Sequence, residues 1–245
     1  MATRIGEVEG LFRYPVKSMR GELLEVADLG WHGLDGDRRL AFRRGDDQTG
    51  FPWLTATKLP ELLLFAPQRR GPAVPGGLPT HARTPEGEEL TVFGEELAVD
   101  VGRRLGSAVQ MMHLDRGVFD EASISLISSA TVSEIGRLAA HPPDVRRFRP
   151  NIVISSPQPV PFEEDAWVGG VLSFGAGVGA AAISITMRDA RCSMVNLDPD
   201  TARPAAGVLK AIVRVRDNQA GVYGTVTRCG RLTVGQPIFL HPRAP

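Results

Sequence analysis

Hydrophobic and polar residues alternate with period two along several short stretches of the chain. Residues 5–14 alternate until Pro15, residues 123–127 show a second clear alternation, and residues 182–187 show a third. Alternation of this kind puts every second side chain on one face, which is typical of a half-buried strand. Turn-forming residues separate many brief stretches, so the sequence predicts a barrel or a sandwich and not a series of βαβ units.

One helix is predicted to begin near Ser128 and Ser129 and to continue to about Ala140. Thr131 and Glu134 have the spacing of a capping box at its start. The free backbone amides of a first helical turn can bind an anion, and the two serines would lie beside them. Ordinary capping explains the same residues without any ligand.

Other helical patterns are few. The sequence predicts a strand at 97–101, a short helix at 101–105 and another strand at 210–216. The chain is therefore predicted to be mainly β with a few short helices, an α+β fold.

Length and charge limit the possible functions. The 245 residues suffice for one large domain or two small ones. Basic and acidic residues each number 28, so the overall charge does not favour binding to nucleic acid or to an anionic membrane. The expected partner is a small molecule or another protein. Two cysteines make no disulfide framework, and the absence of a signal-peptide pattern or a long apolar run leads us to expect a cytoplasmic protein.

Cys192 is the residue with the most reactive candidate chemistry. It follows the predicted strand at 182–187, adjoins Arg191 and precedes an acidic turn that contains Asp198. A neighbouring cation favours the thiolate, which is the form that attacks electrophiles and binds metals. The alternative is a small buried cysteine without chemistry, and Cys229, which lies in a β pattern, is interpreted in that way.

Two loops of the first half carry possible anion-binding groups. The loop at 15–21 contains Lys17 and Ser18, and the glycine-rich turn at 31–39 contains Arg38. Such donors can together bind a phosphate or a carboxylate. A solvated basic turn would show the same pattern, so both interpretations stay open.

A second group of candidates precedes the apolar stretch at 152–154. Arg147, Arg149 and Asn151 would share one face if strand alternation extends back through them. An arginine at the entry of a buried strand needs a partner, either an acid or a bound anion. The carboxylates at 163–165 offer the first possibility.

Common nucleotide and zinc motifs are missing from the sequence. It contains no GxxxxGK[ST] loop, no GxGxxG after a strand and no paired CxxC, and its five histidines are scattered singly. A nucleophilic Cys192 paired to a histidine stays open, although no pattern selects the histidine.

Taken together, these stretches resemble the MOSC family, named after the C-terminal domain of molybdenum cofactor sulfurase. The matching segments occur in the family's order and cover nearly the whole chain. They are Tyr14-Pro15-Val16-Lys17-Ser18, Gly36-Asp37-Arg38, Ser125-Leu126-Ile127-Ser128, Arg147-Phe148-Arg149-Pro150-Asn151-Ile152-Val153, Arg191-Cys192, Asp198-Pro199-Asp200-Thr201, and Gly235 with Pro237. The resemblance implies a β-barrel MOSC domain at residues 119–245, preceded by a smaller β-rich domain at residues 1–118.

The pattern is most similar to the amidoxime-reducing enzymes and their bacterial relatives. This resemblance implies a molybdenum cofactor whose metal is bound by molybdopterin and by Cys192 as the protein ligand. The residues that would hold the phosphate and the pterin are Lys17, Ser18, Arg38, Arg147, Arg149 and Asn151, with Ser128 and Ser129 at the helix start. Asp198 is the candidate proton donor or substrate contact.

The implied reaction is the reduction of small N-hydroxylated compounds, such as amidoximes and hydroxylamines. No desulfurase portion, membrane anchor or iron–sulfur domain is expected in this chain, so the electrons must come from a separate flavin, iron–sulfur or haem protein. Two alternatives stay open. The first is a non-catalytic cofactor carrier or sulfur-relay module that uses Cys192, and the second is a metal-free thiol enzyme. Neither nucleic acid nor a membrane is an expected partner.

Overall fold

The computed structural model describes residues 2–72, 74 and 76–242. The first half contains nine short or medium strands and one helix. They are β1 (Thr3–Arg13), β2 (Glu22–Leu24), β3 (Val26–Gly30), β4 (Gly33–Leu34), β5 (Leu40–Arg44), β6 (Ala66–Gln68), β7 (His81–Arg83), β8 (Glu89–Thr91), α1 (Glu95–Leu105) and β9 (Val109–His113).

The second half alternates between longer strands and two helices. They are β10 (Ile124–Ser128), α2 (Ser129–Ala139), β11 (Ile152–Ser155), β12 (Val171–Phe174), β13 (Ala181–Ala190), α3 (Gly207–Arg216), β14 (Gln219–Arg228), β15 (Gly230–Thr233) and β16 (Pro237–His241). Short 3-10 turns occur at Pro60–Leu64, Val145–Arg147, Glu163–Trp167 and Ser193–Asn196.

Seven strands close into a barrel. Their order around the ring is β11, β10, β14, β13, β12, β16 and β1, and β1 pairs with β11 to complete the circle. Only the β10–β11 pair of this ring is parallel. The interior is filled by apolar side chains such as Leu11, Ile124, Phe174, Ile183 and Ile238. Each contributes roughly 1.5–3 kcal/mol by its burial.

A smaller β-rich unit surrounds a second core. It contains the β5–β9 pair, the β6–β7–β8 sheet and α1, which pack around Phe42, Leu62, Phe65 and Leu97. The predicted fold, mainly β with a few short helices and built on a barrel, is thus confirmed. None of the helices in the described part of the chain is long and apolar enough to cross a membrane.

The sheets do not divide the chain at the predicted boundary between residues 118 and 119. The first strand, β1, completes the barrel of the second half, and β15 near the other end pairs with β3. The barrel therefore needs residues from both ends of the chain.

Two local predictions are wrong because tertiary packing overrides local propensity. The sequence predicts a strand at 210–216, whereas α3 spans this stretch and buries Val208, Ala211 and Ile212 at helical spacing. The predicted strand at 97–101 lies within α1, where Leu97 and Val101 bury the same helical face.

The predicted helix after β10 is confirmed as α2, but its cap differs. The side chain of Ser128 accepts a hydrogen bond from the Thr131 amide at 3.1 Å, so Ser128 is the N-cap. Glu134 does not complete a capping box, because its carboxylate pairs with Arg137 on the exposed side of the helix.

Candidate functional site

A cleft lies where the loops after β1 and β4 meet those before β10 and β11 and the end of β13. Most of the predicted site residues meet here from distant parts of the chain. The walls are formed by Lys17, Ser18, Arg38, Asp120, Ser125, Arg147, Phe148, Arg149, Asp189, Ala190, Arg191, Cys192, Met194, Val195 and Tyr223.

Lys17 is a buried cation at one wall of the cleft. Its ammonium group lies 2.8 Å from a carboxylate oxygen of Asp120 and donates to the Val118 carbonyl at 3.3 Å. Burial lowers the pKa of Lys17, although Asp120 opposes this shift. An entering anion would compete with Asp120 for this ammonium group. Asp120 is not among the candidates that the sequence suggests, although a lysine that is only 6% exposed generally needs an acidic partner.

Arg38 is held by the residue before it. Its guanidinium pairs with the fully buried carboxylate of Asp37 and donates to the Arg149 carbonyl at 3.0 Å. Asp37 also accepts a hydrogen bond from the Tyr14 amide at 2.7 Å. The Gly36-Asp37-Arg38 turn therefore fixes the loop that carries Lys17 as well as placing a cation in the cleft.

Arg149 is held without an acidic partner among the described residues. Its Nη1 donates to the Met19 carbonyl at 2.8 Å, and its guanidinium carbon lies 4.1 Å from the centre of the Tyr14 ring. The side chain is half-buried, and its buried Nη2 has no hydrogen-bond partner in the described part of the chain. The loss of solvent lowers the pKa of Arg149 to about 10. A cation in this state is stabilised by a bound anion.

Arg147 holds the segment that follows Cys192. Its guanidinium donates to the Asn196 carbonyl at 3.1 Å and lies 2.9 Å from a carboxylate oxygen of Asp198. The prediction that strand alternation aligns Arg147 with Arg149 is wrong. Arg147 ends a 3-10 turn and Arg149 has a φ of 50°, so both reach the cleft from irregular backbone.

Asp198 stabilises a turn outside the cleft walls. One oxygen accepts from the Asp200 amide and from both the amide and the hydroxyl of Thr201, while the other oxygen meets Arg147. Slight burial opposes ionisation, but these hydrogen bonds and the Arg147 charge outweigh it and lower the pKa of Asp198. A carboxylate held in its ionised form is a poor proton donor, which counts against the predicted catalytic role.

Ser128 and Ser129 do not line the cleft, contrary to the prediction that they help to hold a cofactor. The fully buried carboxylate of Glu164 accepts from the Ser128 hydroxyl at 2.9 Å and from the Thr131 hydroxyl at 2.9 Å. It also accepts from the Ser128 amide at 3.3 Å. The acceptor at this helix start is therefore an internal side chain.

Asn151 also lies outside the cleft walls. Its side-chain oxygen accepts from the Ser125 amide at 3.1 Å, and its side-chain nitrogen donates to the Phe12 carbonyl at 3.3 Å. These bonds connect β1 with β10. Asn151 thus supports the cleft through the barrel wall and not through direct contact, which differs from its predicted role.

Cys192 is exposed at the cleft and precedes the Ser193–Asn196 turn. The adjacent Arg191 is buried and donates to the Ala220 carbonyl at 2.7 Å and the Phe148 carbonyl at 2.8 Å. Its Nη2 lies 2.9 Å from Asp189. The Arg191 guanidinium is thus held in place by two carbonyl groups and the Asp189 carboxyl group.

The donor set suits a phosphorylated metal cofactor. Five basic residues face the cleft against the two carboxylates of Asp120 and Asp189, and the exposed thiol is a soft metal ligand. In the described part of the chain, no group of three His, Cys, Asp or Glu side chains could hold a metal alone. A metal bound at Cys192 would therefore need further ligands from an organic cofactor.

The enclosed space of the cleft is narrow. Its volume is about 70 Å³, below the roughly 300–1,000 Å³ typical of ligand pockets. Binding of a whole cofactor would therefore require the walls to separate, and the Lys17–Asp120 pair is the contact that an entering phosphate would replace.

Comparisons with known proteins identify the family. The MOSC domain model matches residues 90–239, and the model of the MOSC N-terminal beta barrel domain matches residues 5–122. The chain belongs to the MOSC domain family, which is associated with proteins of the molybdenum cofactor. The predicted family is thus confirmed, while the closeness to amidoxime-reducing enzymes stays a prediction. No curated protein matches the chain.

Solved structures show a similar fold. The YuaD protein from Bacillus subtilis is 16% identical and superimposes with a TM-score of 0.54, covering 100% of both chains. YiiM from Geobacillus stearothermophilus is 20% identical, with a TM-score of 0.36 over 49% of this chain and 55% of that chain. YiiM from Escherichia coli is 13% identical, with a TM-score of 0.36 over 50% of this chain and 55% of that chain. The YuaD match supports a common fold.

Proposed function

We propose that this chain is a molybdenum-cofactor-dependent oxidoreductase that reduces N-hydroxylated compounds, such as amidoximes and hydroxylamines. Its electrons come from a separate flavin, iron–sulfur or haem protein. The observation that carries the proposal is Arg149, a half-buried cation that pairs with no described carboxylate and lies in the same cleft as the exposed thiol of Cys192. A cleft with these two features suits a cofactor that is anionic at one end and carries a soft metal at the other.

The proposal assigns different roles to the cleft residues. Lys17, Ser18, Arg38 and Arg149 bind the phosphate, because three cations and a hydroxyl converge there. Cys192 is the protein ligand of the metal. When bound, the cofactor supplies the redox centre, and the protein holds and orients it.

Arg147 and Arg191 keep the Cys192 segment in place. Arg147 holds the Asn196 carbonyl and the Asp198 turn, while Arg191 is tied to the Ala220 and Phe148 carbonyls. The backbone on both sides of Cys192 is therefore anchored by a buried or partly buried guanidinium. Such anchoring keeps a metal-binding thiolate in one position.

The second candidate function is a cofactor carrier or a sulfur-relay module that bears a persulfide on Cys192. The exposure of Cys192 favours this possibility, because a partner protein could reach a sulfur atom at the rim. In that case the chain binds molybdopterin or sulfur but does not turn over an N-hydroxylated substrate.

The decisive experiment starts with protein from a host that makes the cofactor. Molybdenum and pterin are quantified, and benzamidoxime reduction is assayed with reduced methyl viologen as the artificial donor. The proposal expects bound cofactor and reduction in the native protein. It expects the loss of both in Cys192→Ala and their retention in the matched Cys229→Ala variant.

Other results would contradict the proposal in distinguishable ways. Cofactor-loaded protein that reduces no N-hydroxylated compound supports the carrier. If the protein carries no cofactor and loses its enzymatic activity when Cys192 is alkylated, the result supports the metal-free thiol enzyme.

A further inference from the structure

Asp189 is a buried carboxyl group in the wall of the cleft. It is the penultimate residue of β13, three positions before Cys192, and is 1% exposed. The strand places its side chain in the same cleft as Cys192. Asp189 lies outside the set of candidates that the sequence suggests.

The surroundings of Asp189 hold it in one orientation. Its Oδ2 accepts from the Ser125 hydroxyl at 3.0 Å and lies 2.9 Å from Nη2 of Arg191. Gly221 leaves the space for that guanidinium, because a Cβ there would lie 2.9 Å from the same Nη2. Both contacts are made by Oδ2. Oδ1 has no hydrogen-bond partner among the described residues, so it can contact a group bound in the cleft.

The environment favours a carboxyl group that keeps its proton to a higher pH than an ordinary aspartate, up to about pH 6. Burial raises the pKa of Asp189 to about 6, although Arg191, Ser125 and Arg38 oppose the shift and the charge of Asp120 adds to it. Tyr223 is the other titratable group that faces Asp189, and burial raises its pKa so that it stays protonated. Among the described carboxyl groups of this cleft, Asp189 differs from Asp120, whose pKa is lowered by Lys17 in spite of burial.

We propose that Asp189 is a catalytic acid that gives its proton to the oxygen leaving from an N-hydroxylated substrate in this cleft. The inference rests on the proposed function and replaces Asp198 as the proton donor. The N–O bond breaks, two electrons arrive from the separate donor protein, and two protons are consumed. One proton, from Asp189, converts the departing hydroxyl into water, and one proton from solvent forms the new N–H bond. Asp189 then regains a proton from solvent.

The first test uses cofactor-free protein and needs no activity. NMR titration with carboxyl-labelled aspartate should show one resonance with a midpoint near pH 6 that is missing in Asp189→Asn. Asp198→Asn should leave this resonance in place. A midpoint for Asp189 near the ordinary value of about 4 would overturn the inference, because the group would hold no proton at neutral pH.

The second test uses the cofactor-loaded protein with benzamidoxime and reduced methyl viologen. Asp189→Asn should lower kcat by roughly 10²–10⁴-fold, the range for loss of a general acid, with a much smaller change in KM. The alkaline decline of kcat in the native protein should disappear with the carboxyl group. Asp189→Glu should restore part of kcat with a shifted alkaline limb. The control is Asp165→Asn, which alters a carboxylate paired with Arg216 outside the cleft. It should change neither kcat nor the alkaline limb of kcat.

The two tests separate the failure of this inference from the failure of the proposed function. If Asp189→Asn retains the native kcat and alkaline limb, Asp189 is not the acid although the reductase function stands. If the loaded native protein reduces no N-hydroxylated compound, the proposed function fails and this role fails with it. If Asp189→Asn does not fold, Asp189→Glu provides the test, since the alkaline limb must then move together with the titration midpoint.

Discussion

Arg149 stacks on Tyr14, with its guanidinium carbon 4.1 Å from the ring centre, and Arg38 lies 4.8 Å from the centre of the same ring. One aromatic side chain therefore stabilises two like charges, each contact contributing roughly 0.5–2 kcal/mol. Arg38 has Asp37 as an acidic partner, whereas no acid pairs with Arg149 among the described residues. The excess charge is the physical basis for an anion site between the two halves of the protein.

Arg149→Met is expected to separate anion binding from stability. The substitution removes a half-buried cation that pairs with no described carboxylate, so the melting temperature of the cofactor-free protein should stay equal or rise. Affinity for pyrophosphate, a probe of the phosphate site, should fall at least tenfold. Calorimetric titration and thermal unfolding measure the two effects, with the exposed Arg137→Met as the control. A large loss of stability with unchanged pyrophosphate affinity would contradict the anion-site account.

Gly221→Ala tests whether the position of Arg191 matters for the cleft. Gly221 has a φ of +79°, and an added Cβ would lie 2.7 Å from the Leu126 carbonyl oxygen and 2.9 Å from Arg191. The matched control is Gly235→Ala, where φ is +81° and no atom lies within 4 Å of the added Cβ. Both variants should lose roughly 1–3 kcal/mol through backbone strain. Only Gly221→Ala should also lose bound cofactor on gel filtration. Equal retention of cofactor by both variants would show that cofactor binding does not depend on the position of Arg191.

Glu164→Ala is expected to destabilise the protein without a direct effect on the cleft. The variant leaves the Ser128 and Thr131 hydroxyls without their buried acceptor and should cost roughly 2–4 kcal/mol in urea unfolding. The exposed Glu9→Ala should change stability by less than about 0.5 kcal/mol. Folded Glu164→Ala should bind pyrophosphate as tightly as the native protein. A loss of pyrophosphate affinity in this variant would show that the start of α2 belongs to the anion site.

Glu164→Gln is expected to change how stability depends on pH. Burial raises the pKa of Glu164 above its unfolded value, so its protonated form favours folding. This contribution is complete below the unfolded pKa and is lost as pH rises through the folded pKa. The neutral glutamine has no such loss, so the unfolding free energy of the variant relative to the native protein should increase as the pH rises above the unfolded value of about 4.5. A difference that stays constant as the pH rises would contradict the raised pKa.

The sequence predicts much of the fold because the barrel strands alternate in a regular way. The stretches at 5–14 and 182–187 overlap β1 and β13, and burial alternates at residues 6–10 of β1 and at residues 183–186 of β13. The strand predicted at 210–216 is instead helical, because Val208 and Ile212 pack in the cluster around α2. Such packing depends on distant residues, which local periodicity does not report.

The site is only partly predictable for a related reason. Lys17, Arg38, Arg149 and Cys192 have residue types that suit the chemistry, and the structure brings them to one cleft. The roles of the carboxyl groups depend on burial and on hydrogen-bond partners that lie far away in the sequence. Asp189, for example, accepts a hydrogen bond from the Ser125 hydroxyl, which lies 64 residues earlier in the chain.

Glu164 is a second residue whose partners the sequence does not identify. In the sequence it is one of three neighbouring acids that could pair with arginines. In the structure it accepts hydrogen bonds from Ser128, 36 residues away, and from the Thr131 hydroxyl at the start of α2. It therefore occupies the predicted anion site with an internal carboxyl group. Only the folded chain decides which acid meets which donor.

The most direct test of the central claim is the molybdenum and pterin content of the native protein and of Cys192→Ala, both purified from a host that makes the cofactor. The cleft as described predicts both components in roughly equal amounts in the native protein and loss of the metal in the variant. Native protein that is folded but carries neither molybdenum nor pterin under these conditions would contradict the claim.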